Sequence, residues 1–287
     1  MMKKYCFYVT LALTLGASPC ICADEALSSC ANLPSYATLK SALASATDAE
    51  SSGLNMNMWG AIVDRDGIVC AVAFTGTNRG SQWPGSRVIA AQKANTANAF
   101  SLDASAHSGA NGGALALSTA NLFAAVQPGG SLFGLQESNP VSTAVAYRGS
   151  SSSYGTASDP MVGQKIGGIN VFGGGLALYN ASNQIVGGLG VSGDTSCSDH
   201  NIAWRTRHNL NLDHLSSVIP GPASLFAGDT GHPDNIIYDI PAPSGTTQGS
   251  VGISSTGFGH PMCLNNPATL PAAPGKPLVA SGLPNVQ

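Results

Sequence analysis

The chain has 287 residues, of which 43% are hydrophobic and only 9% are Asp, Glu, Lys or Arg, with a formal charge of −3. Globular proteins carry about 25% charged residues, so Ser, Thr, Asn and Gly have to cover this exterior. So sparse and net-acidic a set of charges excludes nucleic acid as a partner, because phosphate binding needs clustered Lys and Arg.

The chain opens on Met1-Met2-Lys3-Lys4, an apolar run from Tyr5 to Ala17 and small residues up to Ala23. These are the three parts of a secretory signal peptide. Residues 1–23 are therefore expected to be removed on export to a periplasmic or extracellular location. The run falls short of the ~20 residues a membrane span needs, and no other segment is a membrane candidate. Without the leader, ten basic residues face fifteen acidic ones, and Cys30, Cys70, Cys197 and Cys263 remain. An even cysteine count in an exported chain predicts two disulfides among three possible pairings. Cys197 with Cys263 and Cys30 with Cys70 are the pairs expected.

Helical spacing of Tyr36, Leu39 and Leu43 predicts a helix over Pro34 to Ala46. Leu54 to Val63 and Ile68 to Phe74 read as strands joined by Asp64-Arg65-Asp66-Gly67, a hairpin with Asp-Gly at its tip. After a loop from Gly76 to Gly85, Ser86 is placed to cap a long helix through Val88, Ile89, Lys93, Ala97 and Phe100. A Gly/Ser loop over residues 101–113 precedes a short helix from Ser118 to Val126. Pro128 to Lys165 reads as an irregular insertion with a low-complexity run at Gly149 to Gly155. Ile169 to Tyr179 and Gln184 to Val191 form a second hairpin around Asn180-Ala181-Ser182-Asn183. Ser192 to Thr195 then turns into a helix that Ser196 or Ser198 caps, with Ile202, Ala203 and Leu210 on its apolar side. Beyond His214 the chain is punctuated by proline. The expected organisation is a leader over 1–23, one domain over 24–214, and a C-terminal arm over 215–287 that packs on it and ends in a loose tail.

Four stretches in order carry a resemblance: Trp59–Gly67 (WGAIVDRDG), Ala90–Ala97 (AAQKANTA), Phe172–Tyr179 (FGGGLALY) and Ile185–Gly193 (IVGGLGVSG), with Asp199 in the helix that follows. Over roughly Pro34 to Asn211 the chain resembles the GlcG/HbpS family of heme-binding proteins. The resemblance implies an α/β fold, an antiparallel sheet flanked by helices in a profilin-like or PAS-like sandwich. It also implies self-association into a homo-oligomer and binding of heme or a related tetrapyrrole, in storage, sensing or degradation. The insertion, the arm and Asn95, where the family has Arg, depart from the compact pattern. No axial iron ligand is carried over from the family.

Candidate ligands come from the residues themselves. His200, Trp204 and His208 recur every four residues on the second long helix. An imidazole beside an aromatic wall suits heme, since iron accepts a neutral nitrogen and the macrocycle wants apolar contact. Lys93 is placed to reach a propionate or another carboxylate, and Arg205 and Arg207 to reach propionates, Asp199 or Asp213. Cys197-Ser-Asp-His200 and His260-Pro-Met-Cys263 are mirror images. They are compatible with a structural disulfide, a zinc site made of Cys197, His200, His260 and Cys263, or a disulfide that presents His200 and His260 to a ligand. The set expected to touch the cofactor is thus His200, His208, His260, Lys93 and Trp204. No paired general acid and base stands out, so heme degradation enters by resemblance alone. A non-catalytic interaction protein of the same fold is the alternative.

Overall fold

A computed structural model describes residues 30–103, 115–215, 231–245, 252–271 and 277–287; the expected leader over 1–23 lies outside them. Helix α1 spans Tyr36–Asp48, strands β1 and β2 span Trp59–Asp64 and Val69–Phe74, and helix α2 spans Ser86–Phe100. A short helix α3 (Thr143–Ala146) precedes β3 (Gly175–Tyr179), β4 (Ile185–Ser192) and helix α4 (Ser196–Asn209). The arm adds β5 (Ile237–Ile240), β6 (His260–Pro261), β7 (Thr269–Pro271) and β8 (Leu278–Ala280).

The two hairpins form one antiparallel sheet in the order β2-β1-β4-β3. Alternation along β1 separates its two faces. Ile62 packs with Leu39 and Leu43 of α1 and with Ile202, Ala203 and Trp204 of α4. Trp59, Ala61 and Val63 pack with Val88, Ala90, Ala91 and Ala94 of α2. The fold is therefore the expected α/β sandwich, an antiparallel sheet flanked by helices.

Glycine lets α2 ride on this sheet. A Cβ on Gly188 or Gly190 would collide with the α2 carbonyls of Ala94 and Ala90, so the glycine-laden β4 is a close-approach surface. The Gly173 to Gly175 run has the same role toward α4 and α2, where added Cβ atoms would meet Ser196 O and Lys93 O.

Capping differs in detail from expectation. Ser35 Oγ accepts from Thr38 N–H at the start of α1, and Thr195 rather than Ser196 or Ser198 caps α4, accepting from Ser198 N–H. Ser86 is the first helical residue of α2, preceded by Gly85 with no side-chain cap. The predicted strand from Leu54 begins only at Trp59, because the Asp194 carboxylate takes the Leu54 and Met56 amides. The short helix after Ser118 is two 3-10 turns, Thr119–Leu122 and Ala124–Val126.

The insertion and the arm are more structured than the sequence suggested. Ala146, Met161 and Ile166 of the insertion complete the cluster on the α2 side of the sheet. The arm forms a second sheet, β6-β5-β8-β7, whose Ile236, Tyr238 and Ala280 share the core with α1 and α4. The expected loose tail is instead docked: Leu283 and Val286 are buried, and Gln287 N–H donates to Asp213 O. Both expected disulfides are at bonding distance, Cys30–Cys70 and Cys197–Cys263. Among the described residues no helix is long and apolar enough to cross a membrane.

Candidate heme site on the second long helix

Helix α4 runs between the first sheet and the arm, and its two ends meet different surroundings. At its start, His200 is wholly buried and its Nε2 accepts from Ile236 N–H at 3.1 Å. The proton then sits on Nδ1, which has no partner among the described residues. Burial pushes this imidazole down to about 3, against the opposing pull of Asp234. His260 of β6 is also buried, and burial lowers it to about 4. Its Nε2 lies 2.7 Å from Ser196 Oγ and its Nδ1 2.6 Å from Pro261 O, with the Phe123 ring against it. Residues 64 positions apart thus form a hydroxyl–imidazole pair that no local pattern announces.

Of the four residues of the zinc alternative, Cys197, His260 and Cys263 gather with their ligand atoms within 4.8 Å of one another, and His200 is not among them. Cys197 and Cys263 sulfurs are 1.93 Å apart, and a disulfide sulfur is no thiolate ligand. The same bond ties the arm to the start of α4.

Lys93, on α2, crosses beneath β4 to Asp199 at 2.7 Å and also donates to Val191 O at 3.1 Å. It meets the carboxylate alternative of the two foreseen for it. Desolvation lowers the lysine and raises Asp199 to about 6, and each partner's charge opposes the other's shift. Trp204 is buried and donates from Nε1 to Pro284 O at 2.9 Å. Arg207 reaches neither a surface nor Asp199 or Asp213. It forks onto Asp234 of the arm at 2.6 and 2.7 Å, fully buried. Four of the five expected cofactor contacts, His200, His260, Lys93 and Trp204, are therefore engaged inside the protein.

His208 is placed differently. Its side chain is 34% exposed, and its Nδ1 lies 2.7 Å from Oδ2 of Asp213, itself 1% exposed. A buried carboxylate on one ring nitrogen fixes the tautomer and leaves the other nitrogen as a donor pair directed outward, the arrangement that prepares histidine for a metal. His208 and Arg205 border a depression of about 500 Å³ walled by Ala46, Ala49, Leu283 and Pro284. Arg205 donates to Gly282 O, while its Nε has no hydrogen-bond acceptor, the nearest carboxylate oxygen being that of Glu50 at 3.8 Å. Imidazole, apolar wall and a part-exposed guanidinium fit an iron-bearing macrocycle with carboxylate arms.

A second, larger concavity of about 610 Å³ lies across the sheet, between the loop after β2 and the insertion, lined by Trp59, Arg79, Tyr147 and Tyr154. Sequence reading missed it because its wall comes from separate stretches. The only hint was the cluster of aromatic residues in an otherwise polar insertion.

No curated protein matches the chain. Among solved structures it is similar to a PduOC:heme complex, at 23% identity and a TM-score of 0.39 over 61% of this chain and 91% of that one. It is likewise similar to protein ORFY of Klebsiella pneumoniae, at 22% identity and a TM-score of 0.38 over 62% and 90%. The family model described as "haem degrading protein HbpS-like" matches residues 37–207. That span takes in the first sheet and helix α2 entire, α1 but for its first residue, and α4 but for its last two, His208 and Asn209, and with it the chain belongs to the HbpS-like family.

Proposed function

We propose that the protein binds heme or a closely related tetrapyrrole, with His208 as the iron ligand at the open end of α4. The observation that carries this reading is the His208–Asp213 pair at the rim of the depression, in a chain of a family described by heme. Neutral imidazole is the form that donates to a metal, and the Asp213 hydrogen bond strengthens it as a donor. Arg205, 24% exposed and paired through Nε with Glu50, would hold a propionate with the outer side of its guanidinium, and Ala46, Ala49, Leu283 and Pro284 would exclude water from one side of the ring. Bound heme supplies redox and oxygen chemistry. The residues named here only bind and orient it, which supports carriage, storage or sensing ahead of catalysis.

We also propose that the protein is exported from the cytoplasm and works as a homo-oligomer. Two disulfides and a signal-like start support export, and self-association follows the family resemblance. The test is a hemin titration of the purified protein. We expect a saturable Soret shift that His208→Ala abolishes and that His200→Ala, where folded, retains. A wild-type protein that gives no saturable shift overturns the tetrapyrrole reading. Unaltered binding by His208→Ala removes the ligand assignment alone.

A further inference from the structure

We infer that the larger concavity, between the loop after β2 and the insertion, is a separate binding site for a small planar aromatic carboxylate. Its walls are aromatic and partly prearranged. Trp59 is anchored through Nε1 to Trp83 O at 3.1 Å and packs edge-on against Phe74. Tyr154 is held from below by the Arg87 guanidinium, 3.6 Å from its ring centroid. That guanidinium is itself committed to the buried Asp159 and to Ala146 O. Tyr147 is 67% exposed, a large ring left in water at the mouth of an apolar cavity. Trp59, 1% exposed, is the buried floor, and the Tyr147 and Tyr154 rings supply the faces that take a planar ligand at small entropic cost.

Charge sets the class of ligand. Arg79 lines the concavity, is exposed, and makes no hydrogen bond or ion pair with its guanidinium among the described residues. No carboxylate lines the cavity. Gly85 at its edge is also the residue before α2, whose first amides, Ser86 and Arg87, donate to Trp83 O and Pro84 O, so the charge toward a ligand comes from Arg79. In a net-acidic chain, an unpaired guanidinium on an aromatic cavity that no carboxylate lines is a place for an anion. The lining holds no imidazole, thiol or thioether, so the ligand is bound as an organic acid and not through a metal. The site lies on the α2 side of the sheet, away from His208, and does not rest on the tetrapyrrole reading.

Titration calorimetry with 2-naphthoate tests the inference on the full chain, with uncharged 2-naphthamide as the comparison. We expect saturable one-to-one binding of the acid, about tenfold tighter than the amide, a gap of ~1.4 kcal/mol. Arg79→Gln should erase that preference, Tyr147→Ala should weaken both ligands, and His208→Ala should change neither. Both variant positions are exposed, so circular dichroism should match the wild type. Absence of saturable binding by 2-naphthoate, equal affinity for acid and amide, or wild-type discrimination in Arg79→Gln overturns the proposal.

Discussion

His200 and His208 sit on the same helix, two turns apart, and meet opposite fates. The first is sealed under the arm, neutral, and used to hold a backbone amide. The second sits at a rim with a buried carboxylate behind it and solvent in front. A spacing of four overshoots the helical repeat of 3.6 by about 40°, so eight residues rotate the side chain by roughly 80°. That rotation carries His208 out from under the second sheet. Arg207 and Arg205 repeat the lesson, one locked on Asp234 at zero exposure and the other reaching a rim carbonyl. The buried end of α4 holds the fold together, and the open end is free to do chemistry.

Breaking the buried face should cost most. Arg207→Ala strands Asp234 as an unpaired interior charge, and we expect a loss of about 3–5 kcal/mol in denaturant unfolding. Arg205→Ala, by comparison, should stay within about 1 kcal/mol. Equal losses in the two variants would erase the distinction between the buried and the exposed face of α4. Replacing both Cys197 and Cys263 by Ser removes the tie between α4 and the arm across 66 residues and should cost ~2–4 kcal/mol. The wild type treated with reductant should lose a similar amount.

Acid sharpens the contrast next. His200 and His260 have folded values near 3 and 4 against an ordinary 6.5. Their contribution is present above about 6.5 and is lost as pH falls toward the folded values, on the order of 2–3 kcal/mol each by pH 4. Asp199, raised to about 6, works the other way. Its contribution is present below its ordinary 3.8 and lost as pH rises through 6, so it offsets part of the acid loss. Urea midpoints should therefore still decline between pH 6.5 and 4.5, and the slope should flatten in His260→Asn. At the open end, His208→Asn, whose side-chain amide can still donate to the buried Asp213 in place of Nδ1, should shift stability by less than about 1 kcal/mol while removing the hemin-induced Soret shift. A large stability loss there would show His208 to be another structural imidazole.

Much of the first sheet is legible from local signals. The alternation of β1, the Asp-Gly tip after Asp64 and the Asn180–Asn183 turn each act within a few residues, and Asn183 adopts the left-handed conformation the turn requires, at φ 59°. The second sheet is not legible, because strands of two to four residues such as His260–Pro261 and Ile237–Ile240 are too short to show a period. The His208–Asp213 bond spans only five residues. Its two members are visible in the sequence, but Asp213 is equally available there to Arg205 or Arg207, and only the engagement of Arg207 by Asp234 settles the choice.

The local pattern of residues by itself determined the two hairpins, the three long helices and the short list of imidazoles, because periodicity and turn chemistry are properties of neighbours along the chain. Which of those imidazoles faces solvent, which carboxylate each cation takes, and that Trp59, Arg79, Tyr147 and Tyr154 share one cavity were decided by the tertiary structure alone. Burial and electrostatic partnership depend on what packs from the far side, and here that is a second sheet and an insertion whose residues are distant in sequence from the groups they enclose.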